Sequence, residues 1–171
     1  MKIILGANLS ANGKVLQEER PDHFIPEAAS LALIEHAISS GNLIVGRKTF
    51  EMMEAFPGGL QGMLPQCELV IISRHHGDSS RIKTVGTAKQ AIDYLSSKGF
   101  RTIAVGGGTQ IYNLFIDAEL ATDLYLNIIP VIVGEGGVLG TASMLATRFK
   151  NVATEILGEG VIQMHLQRLK G

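Results

Sequence analysis

Cysteine is almost missing from this 171-residue chain. Cys67 stands alone, so no intramolecular disulfide forms, and a cytoplasmic setting is the expected one. An excess of either charge is missing too. Fifteen Lys and Arg face sixteen Asp and Glu, a formal net charge of −1. With a pI near 6.5 there is no electrostatic case for a nucleic-acid or anionic-membrane partner. No apolar run reaches the length of a membrane span, because Gly, Pro or a charge interrupts each one. The opening Met-Lys-Ile-Ile-Leu-Gly reads as a first strand and not as a signal peptide, since Asn8, Ser10 and Asn12 follow at once. The sequence shows no repeats, linkers or low-complexity tracts, so one domain over residues 1–171 is expected.

What is present points to a packed enzyme-sized domain. Hydrophobic residues make up 46% of the chain and the mean hydropathy is +0.23, enough to bury a substantial core. Twenty glycines cluster after apolar runs, a pattern of loops shaped around a ligand.

The most informative stretch is Arg101–Tyr112. Thr102–Val105 reads as a buried strand, Gly106, Gly107 and Gly108 follow, and Ile111, Leu114 and Phe115 recur at helical spacing. Strand, bare backbone and helix N-terminus together favour a phosphate. The alternative is a tight turn that needs glycine only for its dihedrals. A doubly wound dinucleotide fingerprint is excluded, because Ile111 stands where its third glycine belongs.

Two further strand ends carry similar chemistry. Asn42–Val45 reads as a buried strand leading into Gly46-Arg47-Lys48-Thr49 at a helix start, a second anion site or an ordinary solvated helix start. Gly41–Thr49 nearly spells a P-loop, but its four intervening residues form a strand and not a cradle. Glu68–Ser73 is the third strand, ending in Ser73-Arg74-His75-His76, which suits a phosphate monoester. The His pair lacks a carboxylate or cysteine spaced to complete a metal site, so no metal is expected.

The remaining chain supplies the frame. Lys2–Ser10 is read as the first strand, with the polar Asn8 and Ser10 late on one face, then an Asn12-Gly13 turn and a charged surface loop or lid over Gln17–His23. A helix runs from Pro26 to Gly41, its buried stripe expected from Leu31, Ile34 and Ile38, with Glu27 in its first turn. Met52, Met53 and Phe56 are expected in the core, and Pro57–Pro65 as a loop. Thr87 and Gln90 box the start of a helix over Ala88–Lys98. Thr122–Val133 alternates as a strand, with Asn127 on its polar face and Pro130 forcing a bulge, bend or edge. A hairpin of about Phe149–Leu157 and Val161–Leu169 closes the chain. The order predicts an α/β layer fold with a mostly parallel mixed sheet and antiparallel edge strands.

Val-Gly-Arg-Lys-Thr-Phe, Ile-Ile-Ser-Arg and Val-Gly-Gly-Gly-x-x-Ile-Tyr, each after a buried strand, resemble the dihydrofolate reductase superfamily. The opening Asn-Leu-Ser-x-Asn-Gly and the later Pro-Val-Ile-Val-Gly-Glu-Gly resemble its riboflavin-biosynthesis reductase branch more closely. The resemblance implies a three-layer fold with helices on both sheet faces, a C-terminal hairpin, NADPH as cofactor, a small-molecule substrate and a homodimer. It places Gly46, Arg47, Lys48 and Thr49 at the pyrophosphate and adenosine side, and Ser73 and Arg74 at the 2′-phosphate. Gly106, Gly107, Gly108, Thr109, Gln110 and Ile111 would cradle the pyrophosphate through an unusual Gly-Gly peptide. The backbone of Gly6 and Ala7 would orient the nicotinamide, with substrate against Asn8, Ser10, Asn12 and Asn127.

Neither branch's acid is in register: Ser30 stands where the folate enzymes carry a helix carboxylate, and Asn12 where the riboflavin branch carries Asp. Glu27 is the candidate proton donor, against a role only at the helix dipole, and a water relayed by Ser10 or Asn12 is the other route. Three functions follow: a riboflavin-type reductase of a polar heterocycle or sugar phosphate, a dihydrofolate reductase, or a nucleotide-binding protein without turnover.

Overall fold

The computed structural model describes residues 1–75, 77 and 81–169. His76, half of the sequence's His pair, lies outside the described residues. Thirteen elements alternate along the described chain. They are β1 (Lys2–Ser10), α1 (Glu27–Ser40), β2 (Asn42–Gly46), α2 (Arg47–Glu54), α3 (Gly59–Met63), β3 (Glu68–Ile72), β4 (Ile82–Val85) and α4 (Ala88–Ser97). β5 (Thr102–Gly107), α5 (Thr109–Asp117), β6 (Asp123–Ile129), β7 (Phe149–Gly158) and β8 (Val161–Arg168) complete them.

The strands form one eight-stranded sheet in the order β4-β3-β2-β5-β1-β6-β8-β7. The first six are parallel, and β8 and β7 add an antiparallel edge. Strand alternation sorts the core into two layers. Ile44, Val70, Ile103 and Val105 pack with Ala91 and Leu95 of α4 and Phe115 of α5. Leu43, Val45, Leu69 and Ala104 face the other way, onto Ala37 of α1 and Leu60 of α3. Helices on both faces of a mostly parallel sheet, closed by a hairpin, make the three-layer dihydrofolate reductase-like α/β fold.

Several local expectations need correction. The buried face of α1 is Ala29, Ala32 and Ala37, whereas Leu31 is 49% and Ile38 58% exposed and Ile34 only partly buried. Small side chains bring this helix down onto the sheet: a Cβ at Gly6 would stand 2.6 Å from Leu33 Cδ2. Close approach thus turns the helix by its alanines, a signal a large-apolar stripe does not contain. The expected loop Pro57–Pro65 holds the short helix α3, anchored by the buried Leu60 and Leu64 and by Glu54, whose Oε1 accepts from Leu60 N at 2.9 Å. The alternating strand ends at Ile129, with Pro130 directly beyond it, because proline cannot donate to a ladder. No helix among the described residues is long and apolar enough to cross a membrane.

Candidate functional site

β3, β2 and β5 are adjacent and parallel, and their carboxyl ends lie abreast: Gly46 pairs with Ile72, and Val45 with Gly107. The chain leaves this edge at Ser73-Arg74, at Arg47 where α2 begins, and at Gly108 before α5. All three expected anion segments therefore share one side of the sheet.

Two of them are open helix starts. Gly46 caps α2 and Gly108 caps α5, and neither supplies a side-chain hydrogen bond. The first N–H groups of each helix, including those of Arg47, Lys48, Thr109 and Gln110, have no acceptor within their helix. By contrast, α4 is closed by Thr87, whose side chain accepts from Gln90 N. Thr109 Oγ1 is buried and has no hydrogen-bond partner. An orphaned hydroxyl beside two positive dipole ends fits a phosphate-bearing cofactor. The turn itself needs glycine: Gly107 has φ 102°, and a Cβ there would stand 2.7 Å from the Tyr112 ring. The Gly107–Gly108 peptide is cis, the unusual Gly-Gly linkage that the resemblance implied. Ile111 is buried and packs where a Cβ at Gly46 would stand, 2.9 Å from its Cγ1.

Charge at this edge is modest. Arg47 pairs with Glu51 at 3.1 Å, Lys48 is exposed, and Arg74 is exposed at the end of β3. Ser73 Oγ accepts from His75 N at 3.1 Å. Among the described residues no group of three or more His, Cys, Asp or Glu is placed to hold a metal.

Beside the glycine turn opens a cavity of about 560 Å³, bounded by Asn8, Gly106, Gly108, Thr109 and Tyr112 on the sheet side. Its opposite wall comes from α1, α2 and α3, through Leu33, Met52, Met53, Phe56 and Leu60. Met52, Met53 and Phe56, expected in the core, line this cavity; Met53 also packs against the core layer of Leu43, Val45 and Leu60, while Phe56 is 42% exposed. Burial pushes the Tyr112 phenol far above its ordinary value, so it stays protonated and donates to Gly106 O at 3.1 Å.

The catalytic and substrate candidates divide. Glu27 and Asn8 line the cavity. Ser10 and Asn12 do not: Ser10 Oγ donates to Asn12 Oδ1 at 2.7 Å and accepts from Lys14 N, while Asn12 Nδ2 donates to Val133 O at 2.9 Å. Both close the Asn12-Gly13 turn beyond the cavity. Asn127 is fully buried, donating to Asn8 Oδ1 and Ala29 O and accepting from Gln163 Nε2. It ties three strands and α1 together and has nothing left for a substrate.

The main chain of β1 follows strand parity. Lys2 N donates to Arg101 O and Leu16 N to Asn8 O, while Ile3 O accepts from Thr122 N. Even-numbered residues therefore turn their main-chain groups toward β5 and odd-numbered ones, Ala7 included, toward β6. Gly6 thus faces the side where the β1–β5 ladder has ended at Leu5–Val105, and the next even-numbered carbonyl, Asn8 O, is taken by Leu16 N.

The Gln17–His23 loop, read as surface or lid, is pinned. His23 is buried; its Nδ1 accepts from Gln17 N and its Nε2 lies 3.0 Å from Glu135 O, while Arg20 pairs with Asp22 and Glu135. Gly137 packs against Thr109, whose Cγ2 a Cβ there would meet at 2.4 Å. Glu18 and Glu19 of this loop also line the cavity, and Glu18 Oε1 accepts from Ser30 Oγ of α1 at 2.8 Å; the contact of Gly137 with Thr109 brings the chain there against α5, a pairing too distant in sequence to be legible.

An open α/β sheet with a cleft beyond the carboxyl ends of its parallel strands belongs to the class that binds its ligands at that edge. The dihydrofolate reductase family profile matches residues 28–151, well over half of the chain, and the chain belongs to that family. Among solved structures, a protein named for riboflavin biosynthesis from Shewanella sp. PV-4 is similar at 18% identity and TM-score 0.76, covering 99% of this chain and 100% of its own. A pyrimidine reductase-like protein from Corynebacterium diphtheriae matches at 16% and 0.76, covering 99% and 92%. RibD of Acinetobacter baumannii matches at 14% and 0.76, covering 98% of this chain and 58% of its own length. At these identities the likeness is one of fold. No curated protein matches the sequence.

Proposed function

We propose that the protein is an NADPH-dependent reductase. The observation that carries this reading is the meeting of two uncapped, glycine-started helices at one sheet edge, with the unpartnered Thr109 hydroxyl between sheet and cavity. The N–H groups at the starts of α2 and α5 bind the pyrophosphate. Arg74, exposed at the end of β3, meets the 2′-phosphate, the group that separates NADPH from NADH. The main chain of Gly6 holds the nicotinamide end against the sheet.

When bound, the nicotinamide supplies a hydride to a C=N or C=O carbon. The chain positions that carbon and excludes water with the Leu33, Met52 and Phe56 wall. Glu27 Oε atoms stand at the cavity mouth and hold the proton that completes the reduction, directly or through one water.

The test is NADPH oxidation followed with dihydrofolate and with an aminouracil ribosyl phosphate, the substrates to which family and fold relatives direct attention. Turnover of a carbonyl or imine compound with NADPH supports the reading. Failure to bind NADPH at all removes it.

A further inference from the structure

The seat proposed for the nicotinamide rests against an ionisable ring of α1. Gly6 turns its main chain to the gap where the β1–β5 ladder has ended, and two side chains of α1 cover it. A Cβ at Gly6 would stand 2.6 Å from Leu33 Cδ2 and 3.6 Å from His36 Cδ2. Leu33 also lines the cavity. His36 lies against Tyr125 of β6, which pairs with Gly6 in the ladder. Tyr125 in turn stacks on His165 of β8, with centroids 4.2 Å apart and planes at 10°. One rung of the sheet, Gly6 with Tyr125, therefore carries both α1 side chains.

Little else presses the middle of α1 onto that rung. The buried residues of the helix are Ala29, Ala32 and Ala37, each with little apolar area to bury. Its polar ties lie at the two ends: Asn127 Nδ2 donates to Ala29 O at 3.0 Å, and Asn42 Nδ2 to Ser40 O at 2.8 Å. Between them, only the Cys67 thiol reaches the helix backbone, donating to Ala37 O at 3.5 Å, a weak bond. Leu33 and His36, one turn apart, set how closely α1 sits on Gly6.

The surroundings suit the ring only while it is neutral. His36 Nε2 is buried without a hydrogen-bond partner. His165 of β8 and Lys2 of β1 disfavour a charge on the ring, and Glu35 of α1 alone favours it. Asp123 of β6 is engaged by His165 Nε2 at 2.8 Å, by Thr122 and by Lys2. β2 and β5 carry no ionisable side chain. On β7, Lys150 and Glu155 flank the Ala153–His165 rung with opposite charges. A protonated ring gains water and distance from His165 and Lys2 only by leaving the rung, and the helix that carries Leu33 leaves with it.

We infer that His36 is a positioning residue for the nicotinamide seat: neutral, it holds α1 and Leu33 down on Gly6, and protonated it lifts them, so that cofactor affinity falls in acid. This rests on the reductase reading for its ligand, and on the packing of α1 alone for the movement.

The experiment titrates the full chain with NADPH and with 2′-phospho-ADP-ribose, which carries the same phosphates without the nicotinamide, by calorimetry between about pH 8 and about pH 5.5. The ratio of the two affinities cancels the titration of the phosphates. It is expected to fall by about fivefold or more on the acid side in the parent, within the limit of tenfold per pH unit for one proton. The ratio is expected to stay level in His36→Phe, which keeps a ring on the rung; His36→Gln takes its place if that variant does not fold by circular dichroism. Amide exchange without ligand is read in parallel: protection at residues 33–40 should fall over the same range in the parent and not in the variant. A level ratio in the parent, or a fall that survives in the variant, overturns the inference. If neither compound binds at any pH, the reductase reading falls, and the exchange arm decides: protection that does not change in acid overturns the role of His36, and protection lost in the parent alone supports it.

Discussion

A Cβ added at Gly108 would stand 3.1 Å from Thr49 Oγ1, so the starts of α5 and α2 are in contact across β5 and β2. The proposed cofactor site uses that proximity, setting two helix ends against one anion. Gly108 has φ −71°, a value open to any residue, so Gly108→Ala is expected to fold. Its methyl crowds Thr49 and the space a phosphate needs. NADPH affinity should drop by about tenfold or more, read by fluorescence titration, with little change in thermal midpoint. An unchanged affinity would separate the glycine turn from the cofactor.

Arg74 tests which dinucleotide is used. Arg74→Ala removes an exposed guanidinium at the end of β3 and should weaken NADPH by about tenfold while barely changing NADH. Competition titrations with both nucleotides check this. Equal losses for the two would place Arg74 elsewhere than at the 2′-phosphate.

Asn127 is expected to behave as structure. Asn127→Ala leaves the Asn8 and Ala29 oxygens and the Gln163 amide without their partner, and a buried unsatisfied group costs about 1–3 kcal/mol. Urea unfolding should show a loss of about 2 kcal/mol or more. A variant of full stability that fails only in turnover would restore a substrate role.

Acid should destabilise the fold partly through His36. Its Nε2 is buried without a partner, and its ring lies tilted at 44° against Tyr125, with centroids 4.1 Å apart. Burial pushes the ring below its ordinary value; the nearby His165 and Lys2 push the same way, and only Glu35 opposes them. The unfolded chain therefore binds the proton first as pH falls through the ordinary histidine value, and stability drops from there down to the folded value. Asp123, held below the carboxylate range by His165, Thr122 and Lys2 despite its burial, adds a loss at lower pH. The fall in urea midpoint from about pH 7 to about pH 5 should be smaller in His36→Gln than in the parent. Identical slopes would contradict the assignment.

The architecture was legible because its signals are local. Apolar β-branched runs marked Thr102–Val105, Asn42–Val45 and Glu68–Ser73 as strands, the last of which ends one residue earlier at Ile72, and Thr87 with Gln90 marked a helix start that the structure closes the same way. The orientation of α1 was not legible, because it is set by the buried Ala29, Ala32 and Ala37 and by Leu33 settling on Gly6, and not by Leu31 and Ile38. Met52, Met53 and Phe56 read as core since a cavity wall and a core have the same composition. Ser10 and Asn12 drew attention as polar groups at a strand end, but local bonds to Lys14 and distant ones to Val133 consume them. Which of Gly6 and Ala7 turns its main chain away from β6 depends on strand parity, fixed only once the neighbours of β1 are known.

The most direct test of the shared cofactor site is an amide chemical-shift titration of the labelled protein with NADPH. The largest shifts are expected at residues 47–49 and 108–111, with a further set at 74. Shifts confined to one of these segments, or spread over the β7–β8 edge, would contradict a single dinucleotide site built from three strand ends.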